Sequence, residues 1–514
     1  MKKSLKLLAA KKGDFNMKLN FETYCDKVRA CWIGKNIGGT MGTPYEGKRE
    51  LLDVKGYVTA PGEPLPNDDL DLQLVWLLAL ENVGMYNIDA ATLGEFWLSY
   101  IVPHWNEYGI GKINMQRGLV PPLSGDHDND WCNSNGAWIR TEIWACAAPA
   151  TPEVAVKMSI EDAKVDHGAG EGTYAAAFVC GMQSAAFATN DLYQCIEVGL
   201  SCIPDSSRVA KSVRTVIDCY KAGKSWKDAR NTVLEMNSDI GNGWFEAPSN
   251  VAYTVLGLIY GEGDFKKSML TAINCGDDTD CTGATVGATL GILFGTAGIP
   301  NDWAEYIGDK IITVSLMRAG VGNTFPKTCS ELSERVIKVA QSVCISHNIA
   351  FEFARKDWAQ TWLVPEESEC DGAFENLKMR AEKWVKPELS ALKPYTMHFE
   401  ERFLKADVVL SGADIAPEGE VNMELDLSAN VCAYDHRQFG VSLRWILPEG
   451  FTVTGKTNAM IKRPWEAATH GTGHTVLNYT IKAGETVASA NRIILEVTSP
   501  ARPTAMYISF VLLG

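Results

Sequence analysis

Three short acidic clusters hold the residue types from which a reactive site could be built. Gly38-Gly-Thr-Met-Gly42-Thr-Pro44-Tyr-Glu46 reads as a glycine-rich turn ending on a carboxylate. Asn67-Asp68-Asp69 stands directly before an apolar run, and Gly276-Asp277-Asp278-Thr279-Asp280-Cys281-Thr282 opens another. Asn67 is a natural helix N-cap, and acids in a first helical turn are favoured by the helix dipole, so capping alone accounts for the second cluster. Capping does not account for the third, where three aspartates fall within four residues. Carboxylates gathered at low dielectric repel one another unless cations lie between them. Oxygen donors of this kind suit Mg2+ or Mn2+, with Ca2+ also compatible.

The elements that must position these clusters are helical. Leu70 to Leu80 is apolar almost all round, the mark of a buried helix. Gly283, Gly287, Gly291 and Gly295 recur every fourth residue and form one ridge of a helix starting near Asp280. Packing of that ridge on the helix after Asp69 is expected to bring the two acidic N-termini together. Thr173 to Phe187 is Ala-rich, and Thr328-Cys-Ser-Glu331 has the form of a capping box before Leu332, Val336, Val339 and Val343. After about residue 395 the texture changes to short alternating runs, among them Val421 to Leu427, Thr475 to Ile481 and Met506 to Leu513, separated by turn residues. The expected fold is therefore an all-α multi-helix domain over 17–394 followed by a small all-β sandwich over 395–514. Residues 1–16 read as a loose tail.

Composition narrows the function further. The 514 residues are 46% hydrophobic and 22% charged, a globular balance, and no apolar run approaches the roughly 18 residues that span a membrane. The formal net charge of −15 argues against nucleic acid or an anionic lipid surface as a partner. Residues 1–16 contribute +4 and residues 395–514 contribute −3, so −16 resides in the helical domain. Fourteen cysteines without a CxxC pair or an export signal point to reduced thiols and a cytoplasmic setting. His470-Gly-Thr-Gly-His474 reads as a polar turn of the sandwich rather than a chelate.

The ordered motifs resemble the ADP-ribosylglycohydrolase family from about residue 26 to 305. The resemblance is carried by the stretch ending in Glu46, by Asp68-Asp69, Ser134-Asn135-Gly136-Ala137 and Asp166-His167, by Tyr260-Gly-Glu-Gly-Asp-Phe265, and by Asp278-Thr-Asp280 with Gly283-Ala284. It implies an all-α fold with a two-metal centre, usually of magnesium or manganese. Asn67, Asp68, Asp69, Asp278, Asp280 and Cys281 then fall at ligand positions. Glu46 falls beside the metals as ligand or acid/base group, and Ser134, Asn135, Gly136 and His167 line the substrate cleft. Asn67 and Cys281 stand where Thr or Ser is usual, Gly39 where Asp is common, and Asp277 where Gly is frequent. Cys281 is a poor partner for magnesium, so these departures leave open one ion instead of two, a different metal, or none. Trp445-Ile-Leu-Pro-Glu-Gly-Phe451 is similar to an immunoglobulin-like accessory module of carbohydrate enzymes.

Hydrolysis of a glycosidic bond is the reaction this site implies. Glu46 is the first choice for the base that takes a proton from water, with Asp277 or Asp278 next. An ADP-ribosyl or related ribosyl linkage follows from the family. A small neutral carbohydrate is the rival, because the sequence shows no basic cluster near the expected cleft loops. Asp126, Asp128 and Trp131 in Gly125-Asp-His-Asp-Asn-Asp-Trp131 are candidate sugar-binding groups, as is Glu246. Trp105 and Trp244 are further candidates for stacking on a sugar or base. A third reading is a protein that kept the scaffold and lost catalysis.

Overall fold

The computed structural model describes residues 17–317, 325–346, 351–354, 372–430, 438–461, 474–500 and 502–514. The tail expected over 1–16 lies outside them, as does His470, while His474 places Nδ1 2.8 Å from Asp426 Oδ2. Two compact units are present. The first takes the described residues up to Pro103 with Asn133–Ala163 and Gly170–Ala391, and the second takes His104–Cys132, Lys164–Ala169 and Leu392–Gly514.

Helices build the first unit, and four of them matter to the site: α1 (Phe21–Gly42), α2 (Asp68–Val83), α3 (Ala247–Gly261) and α4 (Thr279–Phe294). Asn20 caps α1 by accepting from Thr23 N at 2.9 Å, and Asn67 caps α2 by accepting from Leu70 N at 3.3 Å, as its side chain predicts. α2 is buried from Asp69 to Leu80 without a break. The capping box also forms, with Glu331 N donating to Thr328 Oγ1 at 3.0 Å. Its acid reaches back to the N–H of Lys327, one residue before the expected partner.

The glycine ridge packs on a different helix from the one expected. It lies against α1, not α2, and the two helices run antiparallel with small residues meeting in register. A Cβ on Gly287 would sit 2.0 Å from Gly34 O, one on Gly38 would sit 2.0 Å from Gly283 O, and one on Gly291 would sit 2.3 Å from Ala30 O. Gly38 to Gly42 accordingly belongs to the last turns of α1 rather than to a turn. Two glycine faces approach more closely than a glycine face and the leucine-rich α2 can, which is why α1 wins. The consequence is positional: the C-terminus of α1, and with it Glu46, arrives beside the N-terminus of α4. Gly287→Ala is expected to lower stability by roughly 3 kcal/mol in denaturant titration, since backbone rather than a flexible side chain blocks the new methyl. Gly56→Ala, which meets nothing within 4 Å, is the control and is expected to be near neutral.

The second unit carries two antiparallel sheets. Strands β1 (Met17–Asn20) and β2 (Phe351–Ala354) pair in parallel in the first unit. The remaining strands are β3 (Thr396–Glu400), β4 (Leu404–Leu410), β5 (Glu420–Ala429), β6 (Phe439–Ile446), β7 (Thr452–Thr454), β8 (Asn458–Ile461), β9 (Thr475–Lys482), β10 (Ala490–Thr498) and β11 (Ala505–Leu513). One sheet has the order β11-β10-β6-β8 and the other β3-β4-β5-β9-β7. Burial alternates along β4 and β10, so each sheet turns one face inward. Leu425, Leu427, Ile493, Leu495, Ile508 and Phe510 fill the shared core, and Leu119 and Leu123 of the helical segment belong to it too. An all-α domain followed by a β sandwich is thus the architecture. Among the described residues no helix is long and apolar enough to cross a membrane.

Candidate metal centre and its surroundings

Three chain segments of the first unit bring the acids together. Glu46 follows the short 3-10 turn Thr43–Tyr45 after α1 and is exposed. Asp69 opens α2, fully buried, and Asp278 and Asp280 sit at the cap and first turn of α4, at 5% and 3% exposure. Two overlapping triads result. Glu46, Asp278 and Asp280 place one oxygen each within 4.8 Å of one another, and Asp69, Asp280 and Cys281 do the same with two oxygens and Sγ. Asp280 is common to both.

The ordinary rules of burial are not met inside this cluster. Both oxygens of Asp69 and one each of Asp278 and Asp280 are buried without a hydrogen-bond partner. A buried carboxylate left in that state costs several kcal/mol unless a positive charge compensates it. The acids register the strain in their proton affinities. The charge of Asp280, then burial, then Asp68 push Glu46 up to about 8. Burial first, with Asp68 adding, raises Asp280 to about 6. Asp69 and Asp278 are shifted well upward, chiefly by burial. Orphaned, mutually repelling oxygens are what a divalent cation would satisfy, so the donor set fits such an ion.

Neighbours fix each acid in place. Asn135 Nδ2 donates to Asp278 Oδ2 at 2.6 Å, and Trp138 Nε1 donates to Asn135 Oδ1 at 3.0 Å, leaving Asp278 Oδ1 for the cluster. Gly136 O accepts from the buried Arg140, and Ser134 pairs with Glu246 in an isolated β-bridge. Glu246 is buried, and its Oε1 accepts from Asn242 N at 2.6 Å, which ties the loop before α3. Asn67 and Asp68 stand at the start of α2 but in neither triad, and Asp68 acts on the cluster through its charge.

Asp277, expected as an alternative base, lies in neither triad. Its two oxygens accept from Phe245 N at 3.2 Å and Asn250 Nδ2 at 3.1 Å. Its backbone, at φ 69°, donates to Lys48 O and accepts from Gly47 N, so it pins the Glu46 turn beside α4. Five further sequence candidates are residues of the second unit, and the first of them, Trp105, is exposed with its ring 6.3 Å from that of Tyr108. Asp126 accepts from Ala169 N and Tyr395 N at 2.8 and 2.7 Å, joining two loops. Asp128 is exposed, with Oδ2 3.4 Å from His127 Nε2. Trp131 is half-buried, its N–H held by Asn129 Oδ1 in an Asx turn, and His167 is buried with Nδ1 2.8 Å from Asp166 Oδ1.

Two features escaped the sequence. Lys35 lies in mid-α1 with no exposure; its ammonium donates to Ile139 O and stands 3.1 Å from Glu142 Oε2 and 3.8 Å from Asp69 Oδ1. Burial opposes its charge, but Glu142 and then Asp69 outweigh that, and its pKa is raised. Gln73 and Gln183 donate to the two oxygens of Glu142, completing the network. The second feature is basic. Lys48 and Arg49 are exposed two and three residues after Glu46, and Arg49 Nη2 would lie 3.5 Å from a Cβ on Gly243, next to half-exposed Trp244 stacked on Phe245. Only two cationic residues are involved, which is too few to mark a cluster along the chain.

Helices that gather acidic side chains from three segments, two of them buried at the starts of α2 and α4, define a class of all-α protein. Within that class the chain belongs to the ADP-ribosylglycohydrolase family, which matches residues 20–341. A solved structure described as an ADP-ribosylglycohydrolase-related protein complex is similar at 18% identity and a TM-score of 0.41, covering 63% of this chain and 98% of its own. A FixG-related protein from Vibrio parahaemolyticus aligns with 22% of this chain and 97% of its own, at 11% identity and a TM-score of 0.17. No curated protein matches the chain.

Proposed function

We propose that the protein hydrolyses a glycosidic bond of an ADP-ribosyl or related ribosyl compound, with divalent cations held by the two triads. The observation that carries this reading is the pair of carboxylate triads sharing Asp280, with buried oxygens that lack partners. Asp278 and Asp280 with Glu46 would hold one ion, and Asp69 and Asp280 with Cys281 a second. A cation bound there supplies Lewis-acid polarisation of water and sugar hydroxyls. Glu46 takes the proton from the attacking water while positive charge develops at the anomeric carbon. Its exposure gives water access, and its raised proton affinity suits a base working near neutral pH. Asp277 acts as a positioning residue, holding the Glu46 turn against α4. Asn135 and Trp138 orient Asp278.

Arg49, Lys48 and Trp244 favour an ADP-ribosyl substrate over a neutral sugar. A guanidinium against the backbone of the loop that carries an exposed indole suits a pyrophosphate joined to an aromatic base. The charge of −16 on residues 17–394 favours the neutral sugar, but it is spread over a large domain, whereas Lys48 and Arg49 follow directly on Glu46. The test is a substrate panel in Mg2+ or Mn2+: ADP-ribosyl-arginine and other ADP-ribosyl compounds beside nitrophenyl glycosides. Cleavage of the ADP-ribosyl compounds is expected, with KM raised about tenfold in Arg49→Ala, the loss of one charge-assisted contact. Cleavage of simple glycosides alone would overturn the substrate assignment.

A further inference from the structure

We propose that the two triads are chemically unequal: Glu46–Asp278–Asp280 takes a hard ion such as Mg2+, whereas Asp69–Asp280–Cys281 takes a thiophilic ion such as Zn2+. The inference rests on the metal-dependent reading above and specifies which ion each triad selects.

Exposure separates the two first. Mg2+ demands six oxygen ligands and sheds its waters reluctantly, so it needs a site open to solvent. Glu46 is exposed and all three donors of its triad are carboxylates, which leaves one side for waters. Asp69, Asp280 and Cys281 are all buried, at 0%, 3% and 5% exposure. Three buried donors with little room for water match a four-coordinate ion with one remaining position, the habit of Zn2+.

Donor chemistry points the same way. Sulfur discriminates strongly for Zn2+ and against Mg2+. Lys35 raises the threshold for any ion. Its ammonium, 3.8 Å from Asp69 Oδ1, opposes every divalent cation that enters by the same amount. The choice between ions therefore rests on sulfur, since only a thiophilic ion adds a metal–sulfur bond to set against that opposition. Lys35 pairs with Asp69 by charge at 3.8 Å but not by a hydrogen bond, since the ammonium bonds to Ile139 O, so both Asp69 oxygens keep lone pairs for an ion. When the ion enters, the Cys281 S–H bond breaks, the sulfur lone pair forms the bond to the metal, and one proton leaves to solvent.

The full chain, stripped with EDTA, is to be titrated with Co2+ as a spectroscopic substitute for Zn2+. A near-ultraviolet sulfur-to-Co2+ charge-transfer band is expected to grow to one equivalent, to vanish on adding Zn2+, and to resist a hundredfold excess of Mg2+. Cys281→Ser and, independently, Asp69→Asn are expected to abolish the band while uptake at the outer triad continues. Co2+ uptake without the band, or a band that survives in Cys281→Ser, overturns the thiophilic assignment and leaves the metal centre standing. No uptake of Co2+ or Mg2+ by the wild type overturns the metal-dependent reading and this inference with it.

Discussion

Asp280→Asn is expected to remove both ions at once and to lower hydrolysis by at least about a thousandfold, because it alters the one side chain common to both triads. Metal analysis after dialysis against Mg2+ and Zn2+ measures the first effect and turnover of an ADP-ribosyl substrate the second. Stability supplies an internal control with a crossed sign. In the metal-free protein the proton affinities of Asp280 and Glu46 are raised above their unfolded values, to about 6 and about 8. Between unfolded and folded values the native state holds protons that the unfolded chain has lost. The contribution of these two groups to stability is therefore fully present below about pH 4 and is lost as the pH rises through 6 and on to 8. Asparagine removes one of the repelling charges, so metal-free Asp280→Asn is expected to melt above metal-free wild type at pH 8. Adding Mg2+ or Zn2+ reverses the order, since only wild type gains binding energy. Melting curves at pH 5 and pH 8, with and without metal, read all four states. Unchanged metal content in the variant would sink the ligand assignment.

Much of this site can be read along the chain because all its acids but Glu46 lie at helix starts. Asn67 and the aspartates after it occupy positions that local rules already mark, and the caps form as those rules require. The strands of the second unit are equally local, since alternation along β4, β5 and β10 needs no knowledge of partners. What the chain does not reveal is which surfaces meet. Glycines every fourth residue announce a close helix contact but not its partner, and α1 was hidden because Gly34, Gly38 and Gly42 are mixed with lysine and asparagine. Lys35 shows the same limit. A lysine within a long helix reads as a solvated face, and only packing of α1 against the segment at Ile139–Glu142 makes it a buried counter-charge. Asp277 is the converse case. Its place in an acidic run suggests chemistry, while its left-handed backbone and two accepted hydrogen bonds, features of the folded loop, are not legible in that run.

Glu46→Gln separates the role of base from that of ligand. Glutamine keeps an oxygen that can face an ion but cannot accept a proton at working pH. If Glu46 is the base, both ions remain bound and kcat falls by roughly 10²–10⁴, the span that loss of general base catalysis produces. KM changes little, because the remaining contacts to substrate are intact. The pH profile carries the distinguishing sign. A base works only when deprotonated, so wild-type kcat rises with pH through the proton affinity of Glu46. The bound cation draws that affinity below the metal-free value of about 8, because positive charge favours the carboxylate. In Glu46→Gln the rising limb disappears and the residual rate is flat across the same range. Asp277→Asn provides the contrast. It weakens the hold on the Glu46 turn and lowers kcat by a smaller factor, yet the rising limb survives because the base is still present. A rising limb that persists in Glu46→Gln would instead move the base to another carboxylate of the cluster, with Asp278 next in line.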